Sequence, residues 1–160
     1  MVTIRRGEPE DAAAGAALHI ACWREAYADI VAPDVLAART DDLAERTERW
    51  RALLTDGPPR WLAVGDDGEL IGFSMAGPGR DDDIDLDLEL FAIYVRATHY
   101  GTGVAGRLLE AAIGDAPAYL WVFEANGRAR AFYERHGFTP DGARKPEPSF
   151  LEPEIRMVRR

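Results

Sequence analysis

The sequence predicts a mixed α/β sheet covered by helices, and three observations lead to this prediction. Segments with strand-like alternation and segments with helical periodicity follow one another along the chain. Hydrophobic residues make up 47% and charged residues 29% of the 160 residues, which are proportions typical of a globular protein. No internal repeat or linker divides the sequence, so we expect a single domain over residues 1–160.

The first half of the chain is predicted to contain one strand, two helices and an antiparallel hairpin. Pro33 interrupts the first helix, and the run Gly57-Pro58-Pro59 ends the second. The turn sequence Asp66-Asp67-Gly68 joins the two strands of the hairpin. The predicted elements are a strand at 2–6, helices at 9–29 and 41–54, and strands at 61–64 and 70–76.

The second half is predicted to alternate strands with helices. Acidic and apolar residues alternate strictly from Asp83 to Leu90, which describes a strand with one carboxylate-bearing face, and this strand continues into the apolar run Phe91 to Val95. Gly137 lies where the end of a helix favours glycine. The remaining predicted elements are a helix at 104–113, a strand at 119–123, a helix at 126–136 and final strands at 138–139 and 155–158.

The charge distribution limits the partners that we expect. The formal net charge is −9, so most of the surface repels phosphate backbones and nucleic acid is not an expected partner. Residues 96–135 nevertheless hold five arginines against four acidic residues, a net of +1, which leaves −10 for the rest of the chain. This local reversal is either ordinary scatter or the mark of a region that accepts an anion.

The sequence also indicates the cellular compartment in which we expect the protein. No apolar run approaches the roughly 18 to 20 residues of a membrane helix, and the opening residues lack the apolar core of a signal peptide. We therefore expect a cytoplasmic protein that does not bind membranes. The single cysteine, Cys22, can form no internal disulfide, which agrees with a reducing compartment.

Two further groups of residues are candidates for a reactive site or a metal site. His19 and Cys22 lie three residues apart and could act as base and nucleophile, but no oxyanion motif or third partner accompanies them, so core packing is preferred. His99 and His136 lie far from any carboxylate cluster with metal-ligand spacing, so no metal is expected.

A glycine-rich segment at residues 100–106 carries most of the functional information. A strand leads into this segment, and the segment opens directly into a helix. Glycines let backbone N–H groups approach an anion closely, and the first N–H groups of a helix are unsatisfied donors with partial positive charge. The segment can therefore hold a pyrophosphate without many basic side chains, although a loop that simply turns a corner would have the same composition.

A dinucleotide site is one interpretation of these glycines. Gly101, Gly103 and Gly106 satisfy the G-x-G-x-x-G fingerprint, and Glu124 follows near the position of a ribose-binding acid. However, residues 96–100 separate the strand from the first glycine, and the unit starts too late for a doubly wound sheet. No Gly-Lys-Ser/Thr of a P-loop is present either. Both nucleotide-binding interpretations are therefore disfavoured.

Two motifs support the second interpretation, which is a family resemblance. Tyr100 to Ala105 reads YGTGVA, and a second motif is present as Asn126 to Ala129 and Phe132 to Phe138. With these motifs, residues 89–138 resemble the GNAT superfamily of acyl-CoA-dependent N-acyltransferases. The pyrophosphate loop of that family reads Gln/Arg-x-x-Gly-x-Gly/Ala, so Tyr100 stands where Gln or Arg is usual. A weaker similarity covers residues 22–36.

The resemblance implies both the architecture and the cofactor site. It implies a mostly antiparallel sheet with two splayed parallel central strands, at 86–95 and 119–123, with helices on both faces and CoA between the strands. The expected cosubstrate is acetyl-CoA. Arg96 and Arg107 are further candidates to contact the phosphates on the adenosine of acetyl-CoA. The residues expected to bind it are Tyr94, Val95, Tyr100, Gly101, Thr102, Gly103, Val104, Ala105, Gly106, Asn126, Arg128, Ala129 and Tyr133.

The resemblance further implies transfer of an acetyl group to a primary amine by direct attack. An alkylammonium with a pKa of ~10.4 needs a base at neutral pH, and we expect Glu89, or else Glu124, in that role. The alternation around Glu89 also fits an ordinary exposed strand face. Tyr133 is expected to protonate the departing CoA thiolate, and a strand N–H near Tyr94 to face the carbonyl oxygen.

The sequence does not identify the amine that accepts the acetyl group. A small-molecule amine, an antibiotic, a polyamine and a protein N-terminus all fit, and the net acidity favours a cationic acceptor. Trp23, Tyr27 and Trp50 either line its pocket or pack in the core, and the run 81–83 either attracts an amine or forms a solvated loop. Many relatives pair, so a homodimer is an open expectation. The alternative function is a non-catalytic module of the same fold that senses CoA or binds a protein.

Overall fold

The computed structural model describes all residues 1–160 and contains one seven-stranded sheet. The strand order is β1-β2-β3-β4-β5-β7-β6, and every neighbouring pair is antiparallel except β4 with β5, which is parallel. The mixed, mostly antiparallel sheet expected from the sequence is therefore confirmed. The strands are β1 Thr3–Arg6, β2 Arg60–Val64, β3 Leu70–Pro78, β4 Leu88–Val95, β5 Ala118–Phe123, β6 Thr139–Pro146 and β7 Pro153–Arg159.

Helices cover both faces of the sheet, because each face carries apolar side chains that must be buried. Leu18 of the first helix packs with Trp50 of the third and Phe73 of β3 on one face, and Leu109 and Tyr133 of the last two helices pack on the other. None of these helices has the length and hydrophobicity to cross a membrane. They are α1 Ala12–Tyr27, α2 Pro33–Arg39, α3 Leu43–Asp56, α4 Val104–Ile113 and α5 Gly127–Arg135, with short 3-10 turns at Pro9–Asp11 and Ala97–His99.

Helix α2 is absent from the sequence-based prediction. Pro33 was expected to interrupt a helix, whereas it occupies the first turn of α2. Proline is well suited to this position, because its missing N–H would have no intrahelical acceptor there and its fixed φ matches the helix. The remaining predicted helices are confirmed with end shifts of a few residues, and the predicted hairpin is the β2–β3 pair.

The strand predicted from Asp83 is wrong over its first residues, because β4 begins only at Leu88. The acidic side chains of the alternating run do not line an exposed strand face. Asp83 accepts hydrogen bonds from Arg156, and Asp85 accepts one from Arg160. These ion pairs hold the segment as a loop against the end of β7.

The parallel strands β4 and β5 separate shortly after they meet. Only two register pairs join them, Glu89 with Tyr119 and Leu90 with Leu120. On the other side of β4, Leu90 pairs with Ala76 and Ala92 pairs with Met75, so Phe91 is an extra residue in a β-bulge. Beyond Leu90 the backbone groups of β4 that face β5 therefore have no partner on that strand.

Candidate active site

A cavity of about 870 Å³ opens where β4 and β5 separate. The loop before α4 and helix α5 line it from one face of the sheet. Helix α1 and the loop between β6 and β7 line it as well, and α1 packs on the opposite face. The cavity therefore passes through the sheet, so that two ligands can reach one another from opposite faces.

The loop before α4 presents a row of free backbone donors to this cavity. The N–H groups of residues 101–106 donate to no acceptor within the protein, and Gly103 caps α4 without a side-chain hydrogen bond. Gly101 and Gly103 have φ values of +75° and +87°, where glycine is favoured, and an added β-carbon at either would meet no protein atom within 4 Å. The donors and the open space above them fit a diphosphate.

Eleven of the thirteen residues expected to bind the cofactor line the cavity. Thr102 does not, because its hydroxyl donates to the carbonyl of His99 at 2.6 Å, and Val104 does not, because its side chain is buried beside Leu108 in the core. Both can contribute only their backbone. The eleven lining residues are Tyr94, Val95, Tyr100, Gly101, Gly103, Ala105, Gly106, Asn126, Arg128, Ala129 and Tyr133.

Only one of the three arginines considered for the phosphates faces the cavity. Arg96 binds Glu25 at 2.9 Å, and Arg107 donates to the carbonyl of Val2 at 2.7 Å. Arg128 lines the cavity, and its guanidinium lies 3.8 Å from the centre of the Tyr100 ring. Of these three arginines, Arg128 is therefore the one placed to reach an anion at the glycine loop.

Tyr133 lies on α5 with its side chain buried at the cavity wall. Its hydroxyl is exposed to the cavity rather than sealed in the core, and no protein group bonds to it. Burial raises the pKa of this phenol above its ordinary value, with the nearby Tyr94 as a smaller cause. Tyr133 is thus a neutral hydroxyl with a proton available to a ligand.

The two carboxylates expected as bases occupy different environments. Glu89 is buried at the cavity wall and accepts four hydrogen bonds, three from Arg80 and one from the Tyr119 hydroxyl. Glu124 is not part of the cavity wall; its carboxylate binds Arg144 at 2.6 Å, and this pairing lowers the pKa of Glu124. The structure therefore brings Glu89 to the site and leaves Glu124 outside it.

The sequence-based prediction missed five charged residues of the cavity wall, namely Arg80, Arg135, Lys145, Glu147 and Glu154. Lys145, Glu147 and Glu154 come from β6, β7 and the loop between them. Lys145 is the only lysine of the chain, and this rarity was a signal in the sequence that pointed to it as a candidate site residue. Its ammonium lies 4.1 Å from the centre of the Trp121 ring. Burial raises the pKa of Glu154 to about 7, while Lys145 acts in the opposite direction.

The remaining sequence candidates separate into core and cavity residues. His19 accepts a hydrogen bond from the indole of Trp50, and all of His19, Cys22 and Trp50 are buried. Trp23 and Tyr27 line the cavity, and the Tyr27 hydroxyl lies 2.6 Å from that of Tyr94. No group of three or more His, Cys, Asp or Glu side chains is arranged to hold a metal ion.

The chain matches known acetyltransferases in sequence. A sequence profile described as "Acetyltransferase (GNAT) family" matches residues 21–138. A protein of Mycobacterium tuberculosis (strain ATCC 25618 / H37Rv) named "Probable N-acetyltransferase" is 32% identical over 152 residues, which cover 88% of this chain and 82% of that protein.

Solved structures match the fold over the full length of the chain. The PaiA N-acetyltransferase from Thermoplasma acidophilum, crystallised in complex with coenzyme A, superimposes with a TM-score of 0.71 at 16% identity and covers 100% of this chain and 99% of its own. A GNAT-family acetyltransferase from Streptococcus pneumoniae gives a TM-score of 0.71 at 20% identity and covers 100% of both chains. These likenesses confirm the fold expected from the sequence.

Proposed function

Because this chain belongs to the acetyltransferase (GNAT) family, we propose that it transfers the acetyl group of acetyl-CoA to a primary amine. The observation that carries the proposal is the run of free N–H groups at residues 101–106, which opens onto a cavity that passes through the sheet. Acetyl-CoA supplies the acetyl group as a thioester. The residues of the chain bind it, orient it and move protons around it.

Binding of the cofactor rests on three parts of the cavity wall. The N–H groups around Gly101 and Gly103 hold the diphosphate, and Arg128 adds a positive charge beside them. The backbone groups of β4 beyond Leu90 have no partner on β5 and hold the extended arm of the cofactor. The N–H nearest Tyr94 remains our proposed donor to the carbonyl oxygen.

Direct attack in a sequential mechanism is supported by the shape of the cavity and by its side chains. An acceptor that enters from the face of α1 can meet a cofactor bound from the face of α5. The only cysteine, Cys22, is not part of the cavity wall, and burial raises the pKa of its thiol to about 12. Such a thiol is a poor nucleophile near neutral pH, so an acyl-cysteine route has no support.

Tyr133 is proposed to donate a proton to the departing thiolate. The thiolate is only a modest base, with an ordinary thiol pKa of about 8.5, so Tyr133 passes its proton to the sulfur while it recovers one from the strongly acidic acetylated ammonium. Burial holds the unpaired phenol of Tyr133 in its neutral form until then. Catalysis by Glu89 or Glu124 stays a prediction. Glu89 would first have to give up hydrogen bonds to Arg80, and Glu124 would have to reach the cavity from outside it.

We further propose that residues 1–160 act as one domain in the cytoplasm, and a homodimer stays a prediction. The net charge of −9 supports a cationic acceptor. One part of the cavity wall is formed by α1, the β3–β4 loop, β4, β6, β7 and the loop between β6 and β7. This part holds four acidic side chains and two basic ones, Arg80 and Lys145, and the excess of acidic groups supports the same cationic acceptor.

Release of free thiol from acetyl-CoA with a panel of primary amines tests the proposed function. We expect release that depends on the amine and yields the N-acetyl product in mass spectrometry. Binding of CoA without release for any amine would instead support the alternative of a CoA-sensing module, and absence of both would contradict the proposal.

A further inference from the structure

We propose that Glu154, on β7, is the general base that takes the proton of the acceptor amine. This inference rests on the proposed function, because it assigns a role within the same reaction. It differs from the sequence-based prediction, which placed the base on β4 or at the end of β5.

The strand register brings Glu154 to the point where β4 and β5 have separated. Glu154 pairs with Phe123 at the end of β5, and Arg156 pairs with Trp121 two residues earlier on that strand. Because side chains alternate between the faces of a sheet, Trp121, Phe123 and Glu154 share one face. Trp121, Phe123 and Glu154 all line the cavity, together with Tyr27 of α1.

Four carboxylates line the cavity, and Glu154 is the only one whose oxygens accept no hydrogen bond. Glu89 accepts four, as described above. Asp81 accepts from the Trp121 indole at 3.0 Å and from Arg156 at 2.9 Å. Glu147 accepts from two backbone N–H groups of its own loop, at 3.0 and 2.6 Å.

Free lone pairs matter because a base must form a new hydrogen bond to the ammonium before it takes the proton. The Glu154 side chain is only 13% exposed, and its nearest cationic partner, the Lys145 ammonium, lies 3.8 Å away, beyond hydrogen-bond distance. Neither Glu154 oxygen is sealed from the cavity. An ammonium group can therefore approach Glu154 without first displacing a protein donor.

The surroundings of Glu154 raise its affinity for protons, as a general base requires. Burial raises the pKa of Glu154 to about 7, so about half of the carboxylate is ionised at pH 7 and it binds a proton more tightly than an exposed glutamate. Arg156 on the same strand is already bound by acidic partners, and α1 contributes only uncharged residues to the cavity wall, among them Tyr27. The charged groups that face Glu154 from neighbouring elements are Lys145, Glu147, Arg80 and Glu89.

The proton balance of the reaction closes with this assignment. The ammonium gives one proton to Glu154, and the nitrogen lone pair then forms the bond to the acetyl carbon while the carbon–sulfur bond breaks. The sulfur leaves with the bonding electrons and takes a proton from Tyr133, which recovers one from the second N–H of the acetylated amine. Glu154 returns its proton to solvent when the products leave.

The first test compares Glu154→Gln with Glu152→Gln, a nearby glutamate that is not part of the cavity wall. For Glu154→Gln we expect kcat/KM for the amine to fall about 100-fold or more, with an unchanged Kd for CoA in calorimetry. We also expect the acidic limb of the wild-type kcat/KM profile, with its midpoint near 7, to disappear in this variant. Glu152→Gln should keep both the rate and the limb.

The second test uses the neighbours of Glu154 and measures the free protein. Carbon-13 NMR of the glutamate carboxyls should show one resonance with a titration midpoint near 7 that is absent in Glu154→Gln. Lys145→Gln should move this midpoint upward, because an attractive positive charge is lost, and Glu147→Gln should move it downward.

The outcomes separate this inference from the proposed function. A Glu154 midpoint below about 5.5, or a Glu154→Gln enzyme within threefold of wild type, overturns the role of Glu154 and leaves acetyl transfer intact. A wild-type protein that acetylates no amine overturns the proposed function, and the base assignment falls with it even where the titration is as expected.

Discussion

The guanidinium of Arg128 lies 3.8 Å from the ring centre of Tyr100, across the loop that opens α4. Tyr100 occupies the loop position where the family usually has Gln or Arg, so the polar group expected there is missing from the loop itself. Arg128 comes from the first turn of α5 and brings a positive charge to the same place. We propose that the stacked pair compensates in cofactor binding for the departure at position 100.

Removal of the positive charge of Arg128 should weaken binding of the diphosphate of CoA. We expect Arg128→Met to raise the Kd for CoA about 10-fold, which corresponds to about 1.4 kcal/mol, and to reduce the salt dependence of binding. Arg130→Met on the same helix is the control, because Arg130 donates to the carbonyl of Glu124 and is not part of the cavity wall. Equal effects of the two variants in calorimetry would contradict a phosphate contact by Arg128.

The proposed acid should affect turnover rather than binding. Tyr133→Phe keeps the ring that packs against Phe138 and removes only the unpaired hydroxyl. We expect kcat to fall roughly 100-fold and the Kd for CoA to stay within twofold, because the hydroxyl is needed only when the thiolate leaves. A variant with wild-type kcat would remove Tyr133 from the mechanism.

The raised pKa of Glu154 also predicts a pH-dependent change in stability. The pKa of Glu154 is about 7 in the folded protein and about 4.5 in the unfolded chain. Above pH 7 the folded protein must therefore hold a carboxylate that burial disfavours, and this lowers its stability. Glu154→Gln should therefore raise the free energy of unfolding by about 2 kcal/mol at pH 8.5 and change it little at pH 4.5. Urea unfolding at both pH values measures this difference. An equal effect at the two values would show that Glu154 titrates normally.

A buried arginine holds the loop between β3 and β4 in place. The side chain of Arg156 is only 6% exposed and binds Asp81, Asp83 and Asp141. Arg156→Met would leave these acids without their partner, and we expect the free energy of unfolding to fall by about 3 to 5 kcal/mol. Arg160→Met is the control, since Arg160 and Asp85 form an exposed pair that should matter little. A loss below about 1 kcal/mol for Arg156→Met would contradict this role.

The cavity wall around the loop at 100–106 and α5, where we propose that the cofactor binds, was predictable from the sequence because its signals are local. The strand, the loop at 100–106 and α4 are contiguous in the sequence, and Asn126 caps α5 by accepting a hydrogen bond from Ala129 three residues later. Free N–H groups at a helix start follow from such a segment alone. Eleven of the predicted residues accordingly line the cavity.

The cavity wall around Glu154 depends on contacts between distant parts of the chain. Glu154 reaches the cavity only because β7 pairs with β5, and nothing in its own segment indicates burial beside Phe123. The same cause explains the misplaced start of β4, because the acids of the run from Asp83 are bound by Arg156 and Arg160, more than seventy residues later. Alternation in sequence describes a strand face only where no such partner intervenes.

The N–H groups of residues 101–106 are the proposed contact with the cofactor, and calorimetry of CoA binding to a Gly103→Asp variant is the sharpest test of that contact. The matched control is Gly142→Asp, because Gly142 has a similar φ of +92° and equally open surroundings but is not part of the cavity wall. We predict that Gly103→Asp loses at least 100-fold in affinity, since a negative charge enters the anion site, while Gly142→Asp binds CoA as the wild type does. Equal affinities of a folded Gly103→Asp protein and the wild type would show that these N–H groups do not hold the cofactor.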